Sequence, residues 1–186
     1  NLPGYGDYSP ESLDRFERAW GVRPPGTTGL VVTEMMERCL DGGIRAMYVV
    51  GENPLLSEPD LHHAEKAIEQ LDCLVVQDLF MHETAERAHV FLPAAAFAEK
   101  DGTFTNTERR VQLLRPVLTP PGQARPDWRI LCEVASRMGY PMAYRDTAEI
   151  MDEIAGLTPS YGGISHRRLQ GKGLQWPCPD GEHPGT

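Results

Sequence analysis

The sequence predicts an α/β fold: an open, mainly parallel sheet with helices on both faces. Three short apolar runs, at residues 46–50, 73–76 and 89–92, follow one another with helical patterns between them. Each run stops at polar, glycine or proline residues, so the connections are short. This β-α-β-α-β order favours parallel strands joined by right-handed crossovers, the doubly wound, Rossmann-like arrangement.

Two helices are expected before the first strand. Ser9 fits the N-cap of a helix that Gly21 ends, and Thr33 fits the N-cap of a second helix. The first strand, at 46–50, is a continuous apolar run, which is typical of a strand covered on both faces.

The later elements are predicted from the same apolar periodicities and stop signals. They are a helix opened by Asp60, buried strands at 73–76 and 89–92 with a short helical segment at 82–86 between them, an extended stretch at 102–114, and amphipathic helices at 127–138 and 147–155. We therefore predict a single α/β domain over residues 1–170 and an irregular C-terminal tail or linker over 171–186.

Composition excludes several functional classes. The chain has 186 residues and a formal net charge of −9, which argues against a nucleic-acid partner because phosphate backbones are held by clustered lysine and arginine. No apolar stretch is long enough for a membrane span. An anionic small molecule remains compatible with this charge if local backbone N–H groups hold it.

The cysteines and histidines show no metal-binding spacing. Cys39, Cys73 and Cys132 lie in apolar patterns and are expected to be buried thiols, whereas Cys178, between two prolines, is expected to be exposed. Free thiols without a pattern are typical of a reducing compartment, so we expect a cytoplasmic protein without a metal site in this chain.

Polar residues follow each predicted strand of the sheet. They are Gly51, Glu52 and Asn53 after the first strand, Gln77 and Asp78 after the second, and Ala94 after the third. In an open parallel sheet ligands bind beyond the carboxyl ends of the strands, and a carboxylate there can face the N1–H and 2-amino group of guanine. Asn-Pro is also a plain turn signal, so a structural role and a ligand role both stay open.

The common catalytic motifs are absent. No G-x-G-x-x-G follows a strand, and no P-loop, G-x-S-x-G, H-E-x-x-H or EF-hand pattern occurs. No nucleophile–base pair stands out, so no catalytic residue is predicted. The residues alone indicate an α/β nucleotide-binding domain.

Four sequence blocks carry a family resemblance. They are YVVGENP at 48–54, VVQDLF at 75–80, AHVFLPA at 88–94 and EKDGTFTNTERRVQ at 99–112. With later matches at 127–128, 135–141 and 175–178, the series resembles the molybdopterin-dependent oxidoreductases, specifically formate dehydrogenase alpha subunits. The likeness covers nearly the whole chain.

The resemblance implies that this domain binds one molybdopterin guanine dinucleotide of a bis form that holds molybdenum or tungsten. By matched position the implied contacts are Asn53, Ser57, Gln77, Asp78, Ala94 and Asp127, with Gly102 and Thr103 in an extended loop against the cofactor. Asp127 also fits the N-cap of its helix. Arg109 and Arg110 fit phosphate contacts or solvated ion pairs.

The resemblance also implies what the chain lacks. The family's metal-ligating cysteine or selenocysteine, its neighbouring histidine and arginine, and its iron–sulfur cysteine run do not occur here. We expect an inactive fragment of an enzyme that oxidises formate to carbon dioxide, with a 4Fe-4S cluster elsewhere. The expected partners are the remaining domains and iron–sulfur or diaphorase subunits, with no membrane partner.

Two other interpretations stay open. One is a non-redox nucleotide-binding module such as the central domain of a thiamine-diphosphate enzyme, which shares the strand–Gly–x–Asn–Pro pattern. The other is a purely structural α/β module. The block at 102–109 favours the oxidoreductase, because a bare scaffold has no evident use for it.

Overall fold

The computed structural model describes Leu2 and residues 6–186. Its helices are α1 (Pro10–Trp20), α2 (Val32–Leu40), α3 (Pro54–Ser57), α4 (Leu61–Glu69), α5 (Glu83–Glu86), α6 (Asp127–Arg137) and α7 (Thr147–Leu157). Its strands are β1 (Ala46–Val50), β2 (Cys73–Asp78), β3 (Val90–Pro93), β4 (Gly102–Thr105), β5 (Arg110–Leu114) and β6 (Leu174–Gln175).

The chain divides into two compact units. The parallel unit comprises Leu30–Glu99 and Leu118–Met142. The antiparallel unit comprises Asn1–Gly29, Lys100–Val117 and Ala143–Thr186. The predicted boundary at residue 170 stays a prediction.

The parallel unit confirms the predicted fold class. Strands β1, β2 and β3 pair in that order, all parallel, with α3 and α4 between the first two and α5 between the last two. Residues from α2, α4 and one face of the sheet form its core, including Met36, Ala67 and Val76. Helix α6 begins at the other face, where Asp127 contacts the fully buried Gln77.

Strand β1 differs from its prediction. It was expected to be covered on both faces, but Ala46, Tyr48 and Val50 are exposed. β1 lies at the edge of this sheet, and the helices of the core cover only the face that carries Met47 and Val49. The continuous apolar run of β1 therefore did not indicate burial of both faces of the strand.

Helix starts follow local capping chemistry. Ser9 and Asp60 accept hydrogen bonds from N–H groups of the first turns of α1 and α4, as predicted. Thr33 was expected to cap α2, but α2 begins at Val32 instead. The carboxylate of Glu34 accepts a hydrogen bond from Val31 N–H at 3.0 Å, which satisfies a donor two residues before Thr33.

The antiparallel unit contains a β4–β5 hairpin with β6 paired to β5. At the hairpin turn Arg109 has a φ of 65°, and its guanidinium lies 5.5 Å from the centre of the Trp176 ring. Val111, Met151, Ile164 and Cys178 are buried together in the core of this unit. The predicted irregular segment 171–186 thus contributes β6 and a buried cysteine.

The cysteine predictions hold only in part. Cys39 is buried as predicted, and Cys132 is half-buried. Cys178, expected to be exposed, is fully buried, because its sulfur packs in that core 3.4 Å from the guanidinium of Arg168. Cys73, expected to be buried, is exposed at the start of β2.

Within Leu2 and residues 6–186, none of the helices is both long and apolar enough to cross a bilayer. In the same part of the chain, no three His, Cys, Asp or Glu side chains are grouped so that they could hold a metal ion.

Candidate functional site

The predicted site residues are divided between the two units. Gly51, Glu52, Asn53, Ser57, Gln77, Asp78, Ala94 and Asp127 lie in the parallel unit, whereas Gly102 and Thr103 lie in the antiparallel unit. In the parallel unit, Val50 pairs with Gln77 and Asp78 pairs with Pro93, so the carboxyl ends of the three strands meet at one edge. We call this edge, with the residues that follow each strand, the carboxyl edge.

The turn after β1 is built from local hydrogen bonds. Gly51 has a φ of 64°, a left-handed conformation that favours glycine, and its N–H donates to the Gln77 carbonyl at 2.9 Å. The Glu52 carboxylate accepts from the hydroxyl of Ser57 at 2.7 Å and from Asn53 N–H at 3.1 Å. Glu52 itself is exposed, so its carboxylate stays accessible at the carboxyl edge.

The side chain of Asn53 connects the turn after β1 to helix α5, which follows β2. Its Nδ2 donates to Glu83 Oε2 at 2.7 Å, and its Oδ1 accepts from the hydroxyl of Thr84 at 2.7 Å. The same hydroxyl oxygen accepts from Leu55 N–H at 3.1 Å. The backbone N–H of Glu83 and the side chain of Asn53 lower the pKa of the Glu83 carboxyl.

Thr84 is a residue that the sequence did not single out. It is fully buried in the four-residue helix α5, and its hydroxyl bridges Asn53 and Leu55. A buried threonine in a short helix has no sequence signal of its own. It becomes visible only when the turns after β1 and β2 are placed side by side.

Gln77 lies at the centre of a series of three hydrogen-bonded polar side chains. Its side chain is fully buried, its Nε2 donates to Asp127 Oδ1 at 2.8 Å, and its Oε1 accepts from the hydroxyl of Tyr48. Burial and the charge of Asp127 raise the pKa of Tyr48. Both ends of the Gln77 amide are therefore occupied within the protein.

The Asp78 carboxylate accepts one backbone hydrogen bond and lies close to His82. Its Oδ1 accepts from Leu79 N–H at 2.6 Å, and its Oδ2 lies 3.3 Å from Nε2 of His82. His82 Nδ1 accepts from Ala85 N–H at 3.3 Å, whereas its buried Nε2 has no hydrogen-bond partner among the described residues. The Asp78 side chain is 15% exposed, so it remains accessible from solvent.

Ala94 and Asp127 complete the carboxyl edge. Ala94 is buried, and its N–H donates to the Asp78 carbonyl at 2.9 Å, so this backbone donor is occupied. Asp127 is the first residue of α6, and Pro126 occupies the N-cap position. Asp127 was also considered as the N-cap, and the structure instead directs its Oδ1 to Gln77.

Gly102 and Thr103 lie on β4. Gly102 pairs with Leu114 at a φ of 146°, and the Thr103 hydroxyl lies 4.0 Å from the sulfur of Met151. Of the two arginines considered for phosphate contacts, Arg110 forms an ion pair with Glu108 at 2.9 Å. The cofactor contacts expected of Gly102 and Thr103, and the phosphate contacts considered for Arg109 and Arg110, stay predictions.

The carboxyl edge carries side chains that accept hydrogen bonds. Glu52, Asp78, Glu83 and Asp127 place carboxylates around the ends of β1 and β2. An ionised carboxylate only accepts hydrogen bonds and repels phosphate. This edge therefore suits a ligand group that carries N–H or O–H donors.

A match to a protein-family model identifies the family of this chain. A model described as molybdopterin oxidoreductase matches residues 25–137, more than half of the chain. The chain belongs to the molybdopterin oxidoreductase family. Membership implies a molybdopterin cofactor and confirms the resemblance of the four sequence blocks. It does not favour the thiamine-diphosphate interpretation.

Two named proteins are similar to all or nearly all of the chain. The F420-dependent formate dehydrogenase subunit alpha of Methanocaldococcus jannaschii is 46% identical over 187 residues, covering 100% of this chain and 28% of that protein. The probable oxidoreductase YjgC of Bacillus subtilis is 46% identical over 178 residues, covering 95% of this chain and 18% of that protein. The chain thus spans 18% to 28% of the length of these relatives.

A solved structure supports the fold. The acetylene hydratase from Pelobacter acetylenicus superimposes with a TM-score of 0.62 at 22% identity, covering 86% of this chain and 23% of that chain. At this identity the comparison supports the α/β architecture alone.

Proposed function

We propose that this chain is a cofactor-binding part of a formate dehydrogenase alpha subunit and is inactive by itself. The observation that carries the proposal is the 46% identity, over the whole chain, to the Methanocaldococcus jannaschii formate dehydrogenase subunit alpha. In the intact protein the reaction is the oxidation of formate to carbon dioxide, which releases one proton and two electrons.

The carboxyl edge fits the guanosine end of a molybdopterin guanine dinucleotide. Guanine offers adjacent N–H donors at N1 and the 2-amino group, and ribose offers hydroxyl donors. Asp78 and Asp127 supply carboxylate acceptors in the parallel unit, and the Gln77 amide donates to Asp127. The acceptor character of this edge favours a nucleoside and disfavours the pyrophosphate.

The role of the chain is to bind and orient. When bound, the molybdopterin group supplies the centre that accepts the two electrons of formate. Asp78 would accept from guanosine while Leu79 N–H holds its carboxylate. Asn53, fixed by Thr84 and Glu83, would keep the turn after β1 in place beside it.

The finer assignments follow from the same resemblance. We infer a bis form of the cofactor with molybdenum or tungsten and a 4Fe-4S cluster in another part of the intact protein. The relatives named as alpha subunits support further subunits, of which iron–sulfur or diaphorase subunits would accept the electrons. A cytoplasmic location is part of the same proposal.

The test uses the intact protein that contains this chain. After purification, molybdenum, tungsten and acid-released GMP are measured together with formate-dependent dye reduction. We expect guanine nucleotide to accompany the metal and formate to reduce the dye. A protein with neither guanine nucleotide nor formate oxidation would contradict the proposal.

A matched pair of variants assigns the nucleotide to this site. Asp78→Asn removes one acceptor from the carboxyl edge, and we expect it to retain about 10-fold less GMP, since a hydrogen bond to a charged group contributes about 1.5–3 kcal/mol. Asp152→Asn makes the same change at an exposed position on α7 and should retain as much GMP as the wild type. Equal retention in both variants would place the nucleotide elsewhere.

A further inference from the structure

We propose that Gln77 is a positioning residue that holds the carboxylate of Asp127 in one orientation for guanosine, rather than a ligand contact itself. The proposal rests on the proposed function and adds a division of labour within the carboxyl edge. It starts from the burial of Gln77, whose side chain has no exposed surface. A ligand at the carboxyl edge would meet Asp127 or Asp78 before it met Gln77.

The orientation of the Gln77 amide follows from its neighbours. A carboxylate can only accept, so the Nε2 amino group must face Asp127 Oδ1, at 2.8 Å. The carbonyl Oε1 then faces Tyr48, whose hydroxyl donates to it. The acceptor-only carboxylate sets the orientation of the amide. A flipped amide would place Oε1 against Asp127 and lose that hydrogen bond, while the Tyr48 hydroxyl, which can also accept, would still bond the amide.

The backbone positions of Tyr48, Gln77 and Asp127 are set by the strand register and by the start of α6. Tyr48 pairs with Val75, and Gln77 lies two residues further along β2, so both side chains project from the same face of the sheet. Asp127 is the first residue of α6, directly after Pro126. The sheet therefore fixes Gln77, and Gln77 fixes one oxygen of Asp127.

This arrangement also explains why a glutamine occupies a buried position. A buried amide is tolerated when its donor and acceptor are both satisfied, and loss of one partner leaves the other unsatisfied. Tyr48 and Asp127 provide these partners from β1 and α6. These hydrogen bonds thus connect β1 and β2 to the start of a helix that bears a predicted ligand contact.

The first test is spectroscopic and does not require a nucleotide. In the isotope-labelled 186-residue chain, the side-chain amide protons of Gln77 should exchange slowly with solvent, and their signals should shift in Asp127→Asn. Fast exchange with no shift in that variant would overturn the proposal. An exposed glutamine, Gln70 at the end of α4, gives the reference for a free amide.

The second test measures the dissociation constant of GMP. Gln77→Met keeps the shape of the side chain but removes both hydrogen bonds, and we expect GMP to bind roughly 3- to 10-fold more weakly. Tyr48→Phe should shift binding in the same direction by less, whereas Gln70→Met should leave it unchanged. Wild-type affinity in a folded Gln77→Met chain would overturn the proposal.

A double variant separates positioning from general damage. If Gln77 acts through Asp127, adding Gln77→Met to Asp127→Ala should weaken GMP binding no further than Asp127→Ala alone. Additive losses would contradict the proposal. If Gln77→Met does not fold, Tyr48→Phe replaces it in the same comparison. Its effect on GMP binding is then measured once with Asp127 present and once in Asp127→Ala, and a positioning role predicts no further loss in Asp127→Ala.

The two proposals fail in different ways. If the wild-type chain does not bind GMP, the guanosine assignment fails, and the amide exchange and shift of Gln77 alone decide whether it holds Asp127. If GMP binds and the double variant shows additive losses, the guanosine assignment stands and the positioning role fails.

Discussion

At the scale of single residues, the carboxyl edge depends on amide side chains that are held at both ends. Asn53 donates to Glu83 and accepts from Thr84, and Gln77 donates to Asp127 and accepts from Tyr48. An amide can do both because it carries a donor and an acceptor, and a carboxylate of the same shape cannot. Replacing Asn53 by Asp, or Gln77 by Glu, therefore removes the donor group that binds the neighbouring carboxylate.

Replacement of Asn53 by aspartate tests this discrimination. The folded protein lowers the pKa of Glu83, so its ionised form contributes stability above its ordinary pKa, and that contribution is lost as pH falls through the lowered value. In Asn53→Asp a second carboxylate faces Glu83, so we expect the pKa of Glu83 to rise and the variant to recover stability on acidification. NMR titration of Glu83 and urea unfolding at several pH values measure both effects.

The control for that experiment removes the opposing charge. Asn53→Asp combined with Glu83→Gln restores a donor opposite the new carboxylate and should unfold at a higher urea concentration than Asn53→Asp alone at neutral pH. An unchanged Glu83 titration in Asn53→Asp would mean that the two side chains do not interact in solution.

Thr84 gives a prediction about buried hydroxyl groups. Thr84→Val keeps the shape but leaves Leu55 N–H and Asn53 Oδ1 without this partner, so we expect a loss of about 1–3 kcal/mol in the free energy of unfolding. Thr84→Ser keeps the hydroxyl and loses one methyl group, so it should cost less. Urea unfolding compares the two, and a valine variant as stable as the serine variant would refute the assigned role.

At the scale of elements, local signals explain most of the helices and strands. Apolar runs with polar stops located β1, β2 and β3, and side-chain caps located α1 and α4. The same signals did not reveal that β1 is an edge strand, because burial on the second face depends on what packs there. They also did not reveal Thr84 or Tyr48 as partners, since strand register creates those contacts.

Helix α7 provides an element-scale prediction. Its N-cap Asp146 accepts from Ala148 N–H and Glu149 N–H, both at 3.0 Å. Asp146→Ala should cost about 1 kcal/mol of stability, whereas Asp146→Asn keeps a capping oxygen and should cost less. Thermal unfolding of both variants measures this order, and the reverse order would show that the cap does not stabilise the helix.

At the scale of the whole molecule, the chain forms two units, one with a parallel and one with an antiparallel sheet. The sequence indicated the parallel unit because its strands are continuous apolar runs. In the antiparallel unit it predicted the extended stretch at 102–114 and the helix at 147–155, but not the two-residue strand β6 or the buried Cys178, which depend on distant segments. Glycine- and proline-rich composition concealed the contribution of residues 171–186.

Shortening the chain tests the predicted boundary at residue 170. Removal of 171–186 takes away β6, the fully buried Cys178, and the carbonyl groups of Asp180 and His183 that accept from Arg168. We expect a loss of at least about 3 kcal/mol in the stability of the antiparallel unit. A chain that ends at His183 keeps these contacts and is the control. Equal stability of both shortened chains would support the predicted boundary.

The central claim is that the carboxyl edge of the parallel unit recognises guanosine. An NMR titration of the labelled 186-residue chain with GMP, and in parallel with AMP, measures this most directly. We predict that the amide signals of Gly51, Glu52, Asn53, Asp78 and Leu79 shift with GMP and much less with AMP, which lacks the paired N–H donors of guanine. Unchanged signals at saturating GMP, or equal shifts with both nucleotides, would contradict the account.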